Sequence, residues 1–124
     1  MSALWRVRDR ATFAELRRSG RRARSGPVTV TWLPGTPGEP PRLAFAIGTK
    51  VGSAVVRNRL RRRIRSILAE AAGSLPPGTY LVGAGPGAVD LTYGDLRSTV
   101  LTAIAALPDR DVVPGPGPDG PAAR

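Results

Sequence analysis

The chain contains no cysteine and no histidine. Without cysteine there is no disulfide, no thiolate nucleophile and no Cys-based metal site, a usage that fits a reducing compartment. Without histidine the commonest general base, the commonest metal ligand and every serine–histidine triad are excluded. Lysine is almost missing as well, Lys50 being the single one. Aromatic residues make up 5% of the 124 residues, so aliphatic side chains must fill the core. No apolar run approaches the roughly 18 residues that a membrane span needs. The amino-terminal MSALWRVRDR carries arginines but no apolar segment after them, which is not the pattern of a signal peptide. The nine acids are scattered, with no cluster of carboxylates for metal-ion catalysis. These absences lead to the expectation of a soluble, cytoplasmic chain with no catalytic residue and no metal site of its own.

Positive charge is abundant instead. Nineteen basic residues face nine acidic ones, a net charge of +10. On a chain long enough for one modest core, that excess points to a polyanionic partner, either nucleic acid or an anionic membrane surface. Arginine supplies a planar fork of donors that grips phosphate bidentately and stacks on bases.

The hydrophobic pattern divides the chain into elements. DRATFAELRRSG reads as a short helix with Asp9 as N-cap, Phe13 and Leu16 on one face, and Gly20 in a left-handed C-terminal position. RRARSG leads into a β-branched strand, Val28–Trp32. In RLAFAIG, Leu43, Phe45 and Ile47 alternate with Ala44, Ala46 and Gly48, so one face is large and the other small enough for a ligand to approach the backbone. Ser53 caps a long helix running to about Ala72, stopped by Gly73 and LPPG. Thr79–Gly85 reads as a buried strand, and Thr92 with Asp95 has the capping-box spacing for a last helix. GAGPGA (83–88) lacks the spacing of a phosphate-cradling loop and reads as a strand-end loop. The expected unit is a single domain over residues 1–107, followed by a disordered Pro/Gly-rich tail over 108–124.

The long helix carries the function. Its apolar set is Val56, Leu60, Ile64, Ile67, Leu68 and Ala71, a narrow stripe at spacings of three and four. Six arginines fall within residues 57–65, and no acid occurs between Glu39 and Glu70. On a helical wheel Arg57, Arg61 and Arg65 flank the stripe, Asn58 and Arg62 continue outward, and Arg59 and Arg63 take the other flank. Like charges at i,i+4 cost roughly 0.2–0.5 kcal/mol each, which a bound polyanion offsets. A membrane-surface helix needs a wider apolar face with bulky side chains. A DNA-reading helix needs its apolar face uncommitted to the core. RNA fits best. Eight more arginines within the first 24 residues, beside only Asp9 and Glu15, form a second patch. With Phe13 near it, that patch suits single-stranded nucleic acid, although Phe13 reads more readily as a core residue.

At KVGSAVVRNRLRRRIR the chain resembles the protein subunit of bacterial ribonuclease P, whose hallmark runs Lys-x-[Val/Ile]-Gly-x-Ala-Val-x-Arg-Asn-Arg. Gly52, Ala54, Val55, Arg57, Asn58 and Arg59 match it in place, with Lys50 one position after the motif's lysine, and Arg61, Arg62 and Arg65 follow. The Phe-bearing first helix, YLVGA and the last helix match in position, so the resemblance covers roughly residues 4–107. It implies an α+β two-layer sandwich in the order α-β-β-β-α-β-α, with a small mixed sheet and a left-handed βαβ crossover against the usual rule. It also implies a function, assisting removal of the 5′ leader from precursor tRNA. Hydrolysis is done by the RNA subunit with Mg²⁺ that the RNA holds.

Carried over by position, Arg57, Asn58, Arg59, Arg61, Arg62 and Arg65 contact the catalytic RNA. Phe13, Lys50, Arg17 and Arg21 are candidates for the leader. The implied partners are ribonuclease P RNA and precursor tRNA, with no obligate protein partner and no membrane. Two departures stand out: Gly48-Thr49-Lys50 where many members have Ser-Lys-Lys, and Thr31 about where several carry a tyrosine. The competing reading is a basic ribosomal or RNA-chaperone protein.

Overall fold

The computed structural model describes residues 5–6, 10–35 and 38–107. A two-residue strand β1 (Trp5–Arg6) precedes helix α1 (Arg10–Ser19). Strands β2 (Arg21–Ser25), β3 (Val28–Pro34) and β4 (Arg42–Ala46) follow, then α2 (Ala54–Ala71), β5 (Gly78–Ala84) and α3 (Tyr93–Ala105). The strands form one mixed sheet in the order β1-β4-β5-β3-β2. β4 and β5 are parallel neighbours joined through α2, whereas β5–β3 and β3–β2 are antiparallel. The α+β order expected from the sequence is present, with β1 added at the sheet edge in parallel pairing with β4.

Register decides which side chains share a face. Trp32 pairs with Tyr80 and Val30 with Val82, while β4 brings Leu43 beside Tyr80. These residues, all at most 2% exposed, face the apolar stripes of the helices: Leu60, Ile64, Ile67 and Leu68 from α2, and Leu96, Val100 and Ile104 from α3. Each such side chain stabilises the fold by about 1.5–3 kcal/mol on burial. The two large aromatics lie 6.5 Å apart, centroid to centroid. Both polar tips are satisfied by the proline connection before β5: Trp32 Nε1 donates to the Pro77 carbonyl at 3.2 Å, and the Tyr80 hydroxyl donates to that of Pro76.

The opposite face is built from the alternate residues. Thr29 and Thr31 of β3, Leu81 and Gly83 of β5, and Ala44 and Ala46 of β4 share it, with Arg22 and Arg24 of β2 at its edge. Helix α1 packs on β3, and its one buried side chain is Leu16.

Helix caps agree with the sequence: the Ser53 hydroxyl accepts from Val56 N at 3.3 Å, and that of Thr92 from Asp95 N at 3.1 Å. Three local expectations are corrected. RRARS is a full strand, because pairing along β3 through a turn with Gly26 at φ +55° satisfies its backbone. Gly20 does not take the left-handed conformation. It is needed for close approach, since a Cβ there would stand 2.5 Å from both the Leu16 carbonyl oxygen and Thr31 Cγ2. The segment after β5 forms a 3₁₀ turn, Pro86–Asp90, with Ala88 buried. The Asp9 cap and the 108–124 tail lie outside the described residues.

Candidate nucleic-acid interface

Helix α2 displays its arginines as the wheel orders them. Arg57, Arg61 and Arg65, beside the buried stripe, are half-buried, and Asn58 and Arg62 on the outer surface are exposed. On the other flank Arg59 is exposed and Arg63 half-buried. Arg61 donates to Asn58 Oδ1 at 2.6 Å. A neutral amide thereby orients a guanidinium whose charge a carboxylate would have cancelled. Arg65 lies over the Phe45 ring on β4, its Cζ 5.5 Å from the centroid. The first acid along the helix, Glu70, is directed to Arg97 of α3 at 3.8 Å, away from the run.

Arg57 is held from the turn before the helix. Its Nε donates to the Gly52 carbonyl at 3.2 Å. Gly52 follows the 3₁₀ turn Thr49–Val51 with φ +150°, where a Cβ would stand 3.0 Å from Val56 Cγ1. A glycine is therefore required for the chain to pass from β4 into α2 with this carbonyl aimed at Arg57. Val51 is buried in that turn, whereas Lys50 beside it is exposed.

The open face of the sheet carries two grooves of similar size. One, about 340 Å³, is edged by Arg22 and Arg24 with Thr29, Thr31, Leu81 and Ala46 in its lining, and among the described residues no acid lines it. The other, about 330 Å³, lies at the opposite end beneath the first turns of α1, and Glu15 and Glu39 line it with Arg42. The basic groove opens where β4 and β5 end, and Ala46 in its wall leads directly into the Gly48–Gly52 turn. Lys50 is the fourth residue after Ala46, a reach of at most about 14 Å. Groove and arginine helix thus meet at one end of the sheet.

The residues singled out for a single strand are not all brought to that groove. Phe13 is half-buried on α1, on the side of Leu16, and lines neither groove. Arg17 is exposed near the end of α1. Arg21 pairs in register with Trp32, which puts it on the helix-covered side of β2. Arg22 and Arg24 pair with Thr31 and Thr29 and occupy the groove side. Sequence reasoning counted these two in the basic patch without assigning them a site. Their signal was the two-residue alternation of RRARS, readable only once that stretch is known to be a strand.

Among the described residues, no three of His, Cys, Asp and Glu gather where they could hold a metal ion, and no helix is long and apolar enough to cross a membrane.

Comparison with known proteins gives a consistent result. The family model described as Ribonuclease P matches residues 1–107. A relative named ribonuclease P protein component from Thermobifida fusca is 40% identical over 110 residues, covering 82% of this chain and 75% of that protein. One of the same name from a Nocardioides species is 43% identical over 84 residues, covering 66% and 72%. Among solved structures, the Staphylococcus aureus RNase P protein superposes with a TM-score of 0.74 at 21% identity, over 82% of this chain and 93% of its own. The Thermotoga maritima RNase P protein gives 0.71 at 22% identity, over 80% and 94%. At such identities the structures establish the shared fold.

Proposed function

The chain belongs to the ribonuclease P protein family, and on that premise we propose that it binds the catalytic RNA of ribonuclease P and helps it remove the 5′ leader of precursor tRNA. The observation that carries this reading is α2, where six arginines within residues 57–65 surround a buried aliphatic stripe with no acid among them. Arg57, Asn58, Arg59, Arg61, Arg62 and Arg65 dock on the RNA subunit. The leader runs along the open face of the sheet, with Lys50 at its exit toward α2, and Phe13 and Arg17 guiding it from α1. The protein contributes charge and shape. Its arginines screen the repulsion between two RNAs, raise substrate affinity and lower the Mg²⁺ required. When bound, Mg²⁺ serves hydrolysis at the RNA, in keeping with the scattered acids of this chain. The complex works in the cytoplasm.

The test is reconstitution. The purified chain is combined with a bacterial ribonuclease P RNA and 5′-extended precursor tRNA at low Mg²⁺. Cleavage at the mature 5′ end that depends on the protein is the expected result. Tight RNA binding with no gain in cleavage would instead place the chain among RNA chaperones or ribosomal proteins.

A further inference from the structure

We infer that the RNA-contact face of α2 continues onto α3, where the ring of Tyr93 stacks on an unpaired base of the catalytic RNA; this rests on the reading above that α2 docks on that RNA. Two large apolar side chains are left exposed among the described residues, Val55 at 69% and Tyr93 at 37%. Scattered singly, they would need no explanation. They share one band instead. Val55, Arg59 and Arg63 follow one another at i+4 along one flank of α2, and Ser66 comes three residues later. The Ser66 hydroxyl accepts from that of Tyr93 at 3.0 Å. The band, about 16 Å of helix, thus has arginine in the middle and an exposed apolar group at either end.

Charge names the occupant. Arg59 and Arg63 lie in the band with Arg62 beside them, and no acid occurs on α2 before Glu70. Glu70 itself is held by Arg97 of α3 at 3.8 Å. The next acids are Asp90, in the turn before α3, and Asp95, in the first turn of that helix, where a negative charge suits the helix N-terminus. Tyr93 therefore stands where the cationic face ends. A polyanion laid along the arginines reaches this ring and meets acids beyond it.

The ring is placed to stack. Of the aromatic side chains described, Trp32 and Tyr80 are buried and Phe13 and Phe45 half-buried, which leaves Tyr93 as the exposed one. Tyr93 bonds Ser66, and four residues further along both helices Arg97 pairs with Glu70, so α3 runs beside α2 in the same direction. Tied by its hydroxyl, the ring is held before RNA arrives, which lowers the entropic cost of the contact. A base cannot insert between the arginines instead. The notch that Arg59 and Arg63 form with Val56, Leu60 and Val89 holds about 20 Å³, room for a single water. RNA offers the faces of its bases where they are unpaired, in loops, bulges and ends, and aromatic side chains stack on them there.

The experiment uses the full chain with ribonuclease P RNA and measures affinity by gel shift over a range of salt. Tyr93→Leu should weaken binding about tenfold, the scale of one lost base stack. Its slope of log affinity against log salt should match wild type, because no phosphate contact is lost. Tyr93→Phe keeps the ring and should bind within about threefold of wild type. Arg59→Gln with Arg63→Gln should instead lower the slope by about 1 for each phosphate left without its arginine. Ultraviolet crosslinking of the assembled complex should join Tyr93 to an unpaired nucleotide. Unchanged affinity in Tyr93→Leu overturns the proposal, as does an equal loss in Tyr93→Phe, which would assign the effect to the bond with Ser66. A crosslink from Tyr93 to a second copy of the chain overturns it too, and makes this face a protein contact. If Arg57→Ala with Arg61→Ala also leaves affinity unchanged, the parent reading fails. If that pair weakens binding and Tyr93→Leu does not, the contact on α3 alone fails.

Discussion

The guanidinium of Arg65 covers the ring of Phe45, with 5.5 Å between Cζ and the ring centroid. One member of the arginine run on α2 is therefore also part of the packing between helix and sheet. Arg65→Ala should cost about 0.5–1 kcal/mol from the cation–π contact, with a further loss from its apolar stem. Arg62→Ala, on the exposed outer surface, should change stability by less than about 0.5 kcal/mol. Urea unfolding of both variants, with Phe45→Leu completing a double-mutant cycle, checks this. Equal stability of the two arginine variants would remove Arg65 from the packing.

Arg57 and Arg61 are oriented by Gly52 and Asn58, at 3.2 and 2.6 Å. Replacing either by alanine should weaken binding to ribonuclease P RNA at fixed salt and lower the salt slope by about 1 for each phosphate left without its arginine. Thermal melts of these variants should stay close to wild type. Unchanged affinity in both would sink the docking role of this helix.

Gly52→Ala tests the turn that positions Arg57. At φ +150°, with Val56 Cγ1 3.0 Å from the new Cβ, the substitution should destabilise the fold by about 1–3 kcal/mol. RNA affinity should fall along with it, because the carbonyl that orients Arg57 moves. Retained affinity at temperatures where the variant is folded would show that Arg57 needs no such support.

Trp32→Phe removes a buried hydrogen bond together with part of a buried ring. The change removes one of two donors to the Pro77 carbonyl, which keeps its bond from Gly35 N at 3.1 Å; the lost hydrogen bond should cost about 0.5–1.5 kcal/mol, with a further loss from the space the indole leaves in the core. Denaturant midpoints measure it. A loss no larger than that of a surface substitution would mean that water replaces the indole.

The arginine helix was legible because everything that defines it is local. Ser53, the stripe from Val56 to Ala71 and the arginines between its members are read from spacing alone, and the helix forms as that spacing requires. The alternation of RLAFAIG was legible for the same reason, and its small face does form part of the open side of the sheet. The basic groove was not. In RRARS adjacent arginines look equivalent, and only pairing with β3 sends Arg21 to the side of Trp32 and Arg22 to the side of Thr31. Gly20 was misread similarly, since nothing local announces that Thr31 approaches it from another strand.

By itself, then, the sequence determined that this chain carries uncompensated arginine on a helix with a buried stripe, and that it contains neither cysteine nor histidine. Both follow from residue type and helical period, which act over a few neighbours. The tertiary structure decided how the basic surface is divided. Which arginines face a common groove, and which of two grooves is free of acid, depends on sheet register and on where α1 crosses the open face. Those relationships join residues distant along the chain, and one step of register would reverse every face assignment on a strand.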